Sequence, residues 1–199
     1  NGVTYLNNGG IIVAASDNIV VQKNTVSDVS YSITLNDPTD TTSSAISTYG
    51  ISLSRVSGAT VNNNRVKRMT VVGDAGNSNS LYNTVYGLYA YGVAGTMTNN
   101  RLTNVNLTTN VIDGGITQSY TGVYLHTSTA TTTLQGTMVR DVTVASTGDT
   151  SNTTTTGIQV GFGQQVILEG NQIRPISATG VNATYNSYGI SFSTDASQS

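Results

Sequence analysis

A glycine followed by alternating aliphatic residues recurs along this chain, and this repeat limits its fold more than any other feature. One copy reads Gly50-Ile51-Ser52-Leu53. The other copies begin at Gly10, Gly87, Gly122, Gly157 and Gly189, so that successive glycines lie 40, 37, 35, 35 and 32 residues apart. A period of about 20 to 50 residues is typical of solenoids and other repeat arrays. We therefore expect each copy to be one structural unit that buries its apolar residues by stacking on its neighbours.

Three short strands are predicted in each unit, without any stretch of helical periodicity. In the unit that begins at Gly50, a second strand ends at Val61, Asn64 follows, and a third strand covers 66–69. The residues equivalent to Asn64 are Asn24, Asn100, Thr137 and Asn171. Because asparagine tolerates the left-handed backbone conformation, we expect these residues to form a tight corner in each coil. Their stacked amides should hydrogen-bond along a ladder that is broken at Thr137.

The glycine strand, the spacing to a hydrophobic-x-x-Asn-x-hydrophobic segment and the asparagine corner together resemble the right-handed parallel β-helix proteins, the pectate-lyase-like superfamily. The resemblance covers residues 10–193 and implies an all-β, right-handed parallel β-helix, for which the repeats predict about five to six coils. Members of the superfamily include polysaccharide lyases, galacturonases, epimerases, phage tailspikes and the passenger domains of bacterial autotransporter adhesins. The resemblance therefore predicts a fold and leaves the function open.

One column of apolar side chains is expected to fill the core behind the first strands, because alternate residues of a strand face the same side. Its predicted members are Ile11, Ile51, Leu53, Leu88, Val123, Leu125, Ile158, Val160 and Ile190. Segments near 30–49, 70–86, 106–121, 143–156 and 177–188 vary in length and are rich in turn-forming residues. We expect them to project as loops from one side of the solenoid and to wall its binding face.

The composition limits the classes of partner that we expect this chain to bind. Charged residues are 9% of the chain, against about 25% in an average globular protein, and the net charge is -2. A nucleic-acid partner is therefore not expected, and no apolar run long enough for a membrane span occurs. Cysteine is absent, so no disulfide framework is expected. The start at Asn1 and the stop one strand into a repeat predict that 1–199 is a single segment excised from a larger protein, prone to self-association through its coil ends or faces.

Two outward lanes follow from the same alternation in the first strands. They contain Ile12, Ser52, Tyr89, Tyr124, Gln159 and Ser191 in one lane, and Ala14, Ser54, Tyr91, His126, Gly161 and Ser193 in the other. Since neighbouring coils lie roughly 4.8 Å apart, the tyrosines and the histidine should form one patch. We predict a ligand-binding set of Tyr89, Tyr91, Tyr124, His126, Gln159 and Arg55, with the loop residues Tyr82, Tyr86 and Tyr120 in the same neighbourhood.

Tyrosine presents a flat apolar ring with a polar tip at a low entropic cost, so the patch predicts a platform for a sugar or a peptide. Ordinary cross-strand stacking of tyrosines is the alternative interpretation. Hydrolysis of a glycosidic bond needs two carboxyl groups, and neither lane contains one. An acid–base pair of Tyr124 and His126 for an elimination lacks any supporting motif.

Acidic and basic residues offer two weaker hypotheses. Asp74, Asp113 and Asp149 fall in successive predicted loops and could bind Ca²⁺ through oxygen ligands, although aspartate beside glycine is typical of turns. No other cofactor or metal site is predicted. A basic stripe on a different face is expected from Arg65, Lys67, Arg68, Arg101, Arg140 and Arg174, either simply solvated or in contact with acidic glycans.

Two functions stay open. The scarcity of charge, the Thr, Ser and Asn content and the missing carboxylate pair favour a non-enzymatic adhesion segment of a secreted or cell-surface protein, which recognises a glycan or host surface. The alternative is a carbohydrate-active β-helix, such as a polysaccharide lyase, a glycoside hydrolase or a tailspike depolymerase domain.

Overall fold

A computed structural model of the protein describes residues 3–35, 43–75, 81–111, 116–126, 131–146, 151–161, 166–180 and 184–192. These residues form strands and connecting corners only, so none of these ranges contains a helix that could cross a membrane. In chain order the strands are β1 Val3–Asp17, β2 Val20–Gln22, β3 Thr25–Ser27, β4 Ser30–Leu35, β5 Ser43–Ser57, β6 Ala59–Asn62, β7 Arg65–Ala75, β8 Leu81–Tyr91, β9 Gly95–Thr98, β10 Arg101–Val111, β11 Ile116–His126, β12 Thr132–Gln135, β13 Met138–Ser146, β14 Ser151–Val160, β15 Val166–Glu169, β16 Gln172–Ile173, β17 Ile176–Gly180 and β18 Thr184–Phe192.

Three parallel sheets run along the stack. The first sheet has the order β1-β5-β8-β11-β14-β18, the second β15-β12-β9-β6-β2, and the third β16-β13-β10-β7-β3 with β17 beside β13 and β4 beside β7. Each strand therefore pairs with its counterpart one repeat away, which confirms the predicted parallel β-solenoid. The solenoid makes about four turns, slightly fewer than the five to six coils predicted from the glycine repeats.

The core lies between the three sheets, and the predicted apolar column behind the first sheet is confirmed for most of its members. Leu53, Val123, Leu125 and Ile158 have no solvent-exposed area, and Ile51 and Leu88 have almost none. Ile11 is only partly buried. Ile190 was predicted to be buried but is 48% exposed, because β18 is the outermost strand of the first sheet among the described residues.

Most of the repeated glycines lie close to side chains of the third sheet. A Cβ atom added at Gly50 would lie 2.4 Å from a methyl group of Val66, and one at Gly122 would lie 2.6 Å from a methyl group of Val139. Such distances leave no room for any side chain. Glycine is therefore required by close packing, and these two glycines do not adopt a left-handed backbone conformation. The same close contacts are found at Gly10, Gly87 and Gly157, but not at Gly189.

Left-handed residues do form the corners, but they are not the ladder asparagines. The corner between the second and third sheets has positive φ at Lys23, Asn63, Asn99, Gly136 and Gly170, each one residue before the position that we predicted. The prediction that the ladder residues are left-handed was therefore wrong. The residue after each left-handed corner instead directs its side chain inward. Asn64 turns its side chain into the core, where it is 1% exposed.

The asparagine ladder itself is confirmed. The backbone and side-chain amides of Asn24 donate to Oδ1 of Asn64 at 3.0 and 3.1 Å, and the same groups of Asn64 donate to Oδ1 of Asn100 at 3.1 Å. Each buried amide also donates to a backbone carbonyl of the preceding coil, as from Asn64 to Val21 at 2.8 Å. The side-chain ladder is interrupted at Thr137, whose buried hydroxyl has no hydrogen-bond partner.

We predict that Thr137→Asn stabilises the protein by about 1 kcal/mol, the net contribution of a typical hydrogen bond. The new Oδ1 would accept from Asn100, and the new amide would replace an unsatisfied hydroxyl. For a chain of this size this corresponds to a rise of about 2–4 °C in the melting temperature, measurable by circular dichroism. Thr133→Asn, on the outer side of the same coil, is the control and should have little effect. An unchanged or lower melting temperature for Thr137→Asn would contradict this account.

The strands extend into the segments that we expected to project as loops. β7 continues to Ala75 and β8 begins at Leu81, and the pairing of Asn110 with Asp74 shows that the ladder is maintained there. The remaining parts of these segments, 36–42, 76–80, 112–115, 147–150 and 181–183, lie outside the described residues.

Candidate functional site: a tyrosine groove on the first sheet

Each strand of the first sheet bends inward at its glycine, and this bend makes the outer face concave. In β5, Thr48 and Ile51 both face the core although they are three residues apart, so the alternation restarts at Gly50. The residue before the glycine and the residue two positions after it then face the same outer side. We call the resulting channel, which runs from coil to coil, the tyrosine groove.

Six aromatic rings are packed together along this groove. The rings of Tyr49 and Tyr86 stack with centroids 5.5 Å apart, and those of Tyr89 and Tyr124 stack at 5.2 Å. Tyr86 joins the two pairs, with its centroid 4.9 Å from that of Tyr89 and 5.7 Å from that of Tyr124. In the second lane Tyr91 stacks on Tyr89 at 6.3 Å and on His126 at 4.4 Å. These contacts follow the register of the sheet, in which Tyr124 pairs with Tyr89 and His126 with Tyr91.

Beyond the rings the groove opens into a cavity of about 420 Å³. Its walls are the rings of Tyr86 and Tyr124 towards one end and Tyr188 towards the other. The remaining lining residues carry hydroxyl or amide groups: Thr84, Ser119, Thr121, Thr154, Thr156, Gln159 and Ser191. The cavity is thus bounded by apolar ring faces and by groups that both donate and accept hydrogen bonds.

Two of the phenol groups in the groove are held in their neutral form. Burial, reinforced by the neighbouring tyrosines, raises the pKa of Tyr89 to about 12 and holds the pKa of Tyr86 further above the usual range. Both phenols therefore stay protonated and can donate a hydrogen bond. None of the residues that line the cavity is acidic or basic.

The structure brings together most of the predicted ligand-binding residues. Tyr89, Tyr91, Tyr124 and His126 lie side by side, as the ring distances show. Gln159 pairs with Tyr124 in the sheet and accepts a hydrogen bond from the hydroxyl of Thr121 at 3.2 Å. Arg55 lies apart, at an exposed corner beside Gly92, and makes no ion pair or ring contact within the described residues.

The three tyrosines that we expected in loops, Tyr82, Tyr86 and Tyr120, must be considered separately. Tyr86 belongs to strand β8 and lines the groove. Tyr120 was predicted to join the patch but faces the core and is completely buried, because it lies two residues before Gly122, on the inward side of the bend. The side chain of Tyr82 lies outside the described residues.

Tyr49 and Tyr188 are groove residues that the sequence analysis missed. Both precede the glycine of a repeat, as do Tyr86, Thr121 and Thr156. The signal that would have revealed them is therefore the tyrosine or threonine immediately before five of the six repeated glycines. Simple alternation, counted from the glycine, predicts that the preceding residue faces the core. The bend at the glycine turns that residue to the outer side instead.

Metal binding has no support among the described residues, which contain no group of three or more His, Asp or Glu side chains close enough to share an ion. The predicted Ca²⁺ ligands Asp113 and Asp149 lie outside those residues. The backbone of Asp74 is in strand β7, but its side chain is outside the described part. A Ca²⁺ site formed by these aspartates remains a prediction.

Comparisons of the chain with protein-family models, with curated proteins and with solved structures gave no match.

Proposed function

We propose that this chain is a non-enzymatic binding segment that recognises a neutral saccharide in the tyrosine groove. We further propose that it serves in adhesion as part of a secreted or cell-surface protein, akin to the adhesin passengers of the pectate-lyase-like superfamily. The solenoid would act as a rigid support for the groove.

The observation that carries the proposal is the lining of the open cavity. The ring faces of Tyr124 and Tyr188 match the apolar face of a pyranose, and aromatic contacts of this kind contribute about 1 kcal/mol each. Threonine, serine and glutamine side chains between them suit sugar hydroxyl groups, which also donate and accept. A volume of about 420 Å³ lies within the range of about 300–1,000 Å³ for small-molecule sites.

The lining of the cavity also argues against hydrolysis of a bound saccharide. Hydrolysis needs a pair of carboxyl groups, and the cavity has none. A carbohydrate-active role is the second candidate, and the observation in its favour is the imidazole of His126 with its centroid 6.4 Å from that of Tyr124 on the same face. Such a pair is chemically suited to an elimination, in which one group removes a proton and the other protonates the leaving oxygen.

The test is a glycan array probed with the labelled protein, followed by titration of the neutral oligosaccharide that binds most tightly. Tyr124→Ala should weaken that binding at least about tenfold, because each 1.4 kcal/mol of lost contact is a factor of ten in affinity. The double change Tyr89→Ala with Tyr124→Ala should abolish it. A parallel reducing-end assay on polygalacturonate should detect no cleavage.

Tyr49→Ala is the matched control, since Tyr49 belongs to the stacked rings but does not line the cavity. It should leave binding intact. If Tyr49→Ala and Tyr124→Ala lower the melting temperature equally and neither affects binding, the tyrosines are a structural ladder and the proposal fails. Cleavage of the polymer that is lost in His126→Ala would establish the carbohydrate-active alternative instead.

A further inference from the structure

A compact group of cations lies on the outer face of the third sheet, away from the tyrosine groove. Arg65 pairs directly with Arg101 in the next coil, and Lys67 pairs with Thr103, which pairs in turn with Arg140. These four cations are half of the eight lysine and arginine residues in the chain. We call them the basic cluster.

The basic cluster is poorly neutralised by the protein. Like charges directly opposite each other on a sheet are destabilising, yet Arg65 and Arg101 form no ion pair within the described residues. Arg140 contacts Asp141 at 3.3 Å. Hydrogen bonds from Arg68 are the main cause of the lowered pKa of Asp28, and Lys67 adds a smaller coulombic contribution. The Asp28 carboxylate is already held by Nε and Nη2 of Arg68, at 2.5 and 2.6 Å.

Two cavities that share lining residues adjoin these cations. The smaller cavity, of about 110 Å³, is lined by the four cations and Thr103, and suits a single anionic group. The larger, of about 460 Å³, shares Arg65 and Arg101 and lies against the corner between the second and third sheets. Its other lining residues are mainly amides and small groups: Asn63, Asn64, Asn99, Gly136, Met138 and Gln172.

We infer that this surface is a second binding site, which takes an acidic saccharide. The carboxylate or sulfate group of the sugar would occupy the smaller cavity, where guanidinium groups can bind an oxyanion through two parallel hydrogen bonds. The ring hydroxyl groups would face the amides of Asn63, Asn99 and Gln172. The inference does not depend on the proposed function of the tyrosine groove, because the two sites lie on different sheets and share no residue.

The lining favours a saccharide over a nucleic acid. Single-stranded nucleic acids are bound by stacking of bases on aromatic rings, and neither cavity has an aromatic residue in its lining. Duplex binding relies on many phosphate contacts along an extended basic surface. On this surface the four cations line the smaller cavity, whereas the rest of the larger cavity is lined mainly by neutral amides.

The inference is tested with the full chain and three probes: tetragalacturonate, its methyl ester and a short polyphosphate of matched charge. Tetragalacturonate should bind at least tenfold more tightly than the ester, since the ester keeps the sugar ring and loses the charge. Arg65→Gln with Arg101→Gln should weaken tetragalacturonate binding at least tenfold. Its melting temperature should stay the same or rise, because a repulsive pair of charges has been removed.

Two further variants test whether binding depends on these particular cations and on the neighbouring amides. Arg55→Gln removes a positive charge at a residue that lines neither cavity and should leave binding within twofold of the original. Asn63→Gly with Asn99→Gly removes two amides at positions whose positive φ glycine accepts, and should weaken tetragalacturonate but not polyphosphate. The inference is overturned if the arginine double variant binds tetragalacturonate normally. It is also overturned if polyphosphate binds as tightly as the sugar and the asparagine variant loses nothing, which would indicate a site that recognises charge alone.

Discussion

Replacement of Leu53 by aspartate is expected to unfold the protein. Leu53 is completely buried, and its neighbours in the sheet are Val13 and Ala90 in the adjacent coils. None of these side chains can pair with a carboxylate, so a charge there would be desolvated without compensation. The loss should exceed about 5 kcal/mol, which is comparable to the whole stability of many domains. Circular dichroism should show the loss of the β spectrum at 25 °C.

Ala14→Asp provides the control, because Ala14 is exposed on the outer face of the same sheet. It introduces the same charge and should change the stability by no more than about 0.5 kcal/mol. If Leu53→Asp retained a cooperative transition near that of the original protein, β5 would not have the register described here. Leu125→Asp, two coils further along the same column, should behave like Leu53→Asp.

Replacement of Gly122 by alanine should have the second largest effect, although it adds only one methyl group. The new Cβ would lie 2.5 Å from the carbonyl oxygen of Gly157 and 2.6 Å from a methyl group of Val139. Relief of the first clash requires a shift of the backbone between β11 and β14 within the first sheet, and relief of the second requires a separation of the first and third sheets. We expect a loss of about 3 kcal/mol, the upper end of the usual range for an overpacked core.

Gly189→Ala is the matched control, since a Cβ at Gly189 would meet nothing within 4 Å. This change should be neutral, or stabilising by about 0.5 kcal/mol through the lower entropy of the unfolded chain. Both variants are compared by urea denaturation with the m-value monitored. Equal midpoints for the two variants would show that the bend at the glycines is not imposed by close packing.

The bend at the glycines also connects the stability of the solenoid with the geometry of the tyrosine groove. Tyr86 and Tyr89 flank Gly87 and are brought to a centroid distance of 4.9 Å by the change of direction at that glycine. A first sheet that straightened would separate these two lanes and open the wall of the cavity. A partly folded Gly122→Ala protein should therefore bind ligands of the tyrosine groove less tightly, while the arginines of the third sheet keep their register.

The repeat in the sequence was sufficient to derive the parallel stack, the inward column and the outward lanes. A strand that pairs with its counterpart one coil away brings equivalent repeat positions together, and Tyr89, Tyr124 and Gln159 are aligned because each lies two residues after a repeat glycine. The asparagine ladder was predictable on the same basis. Its members stand at equivalent positions in their coils, so a side-chain amide of one coil meets that of the next.

Only the tertiary structure decided which residues flank each glycine on the outer side. Alternation identifies the face of a side chain only while the strand is straight, and the bend at Gly122 reverses the assignment for the residues before it. Tyr120 is buried and Thr121 faces the groove for this reason. At the bend Gly122 lies close to Val139 of a different sheet, and the periodicity of a single strand contains no information about such a contact.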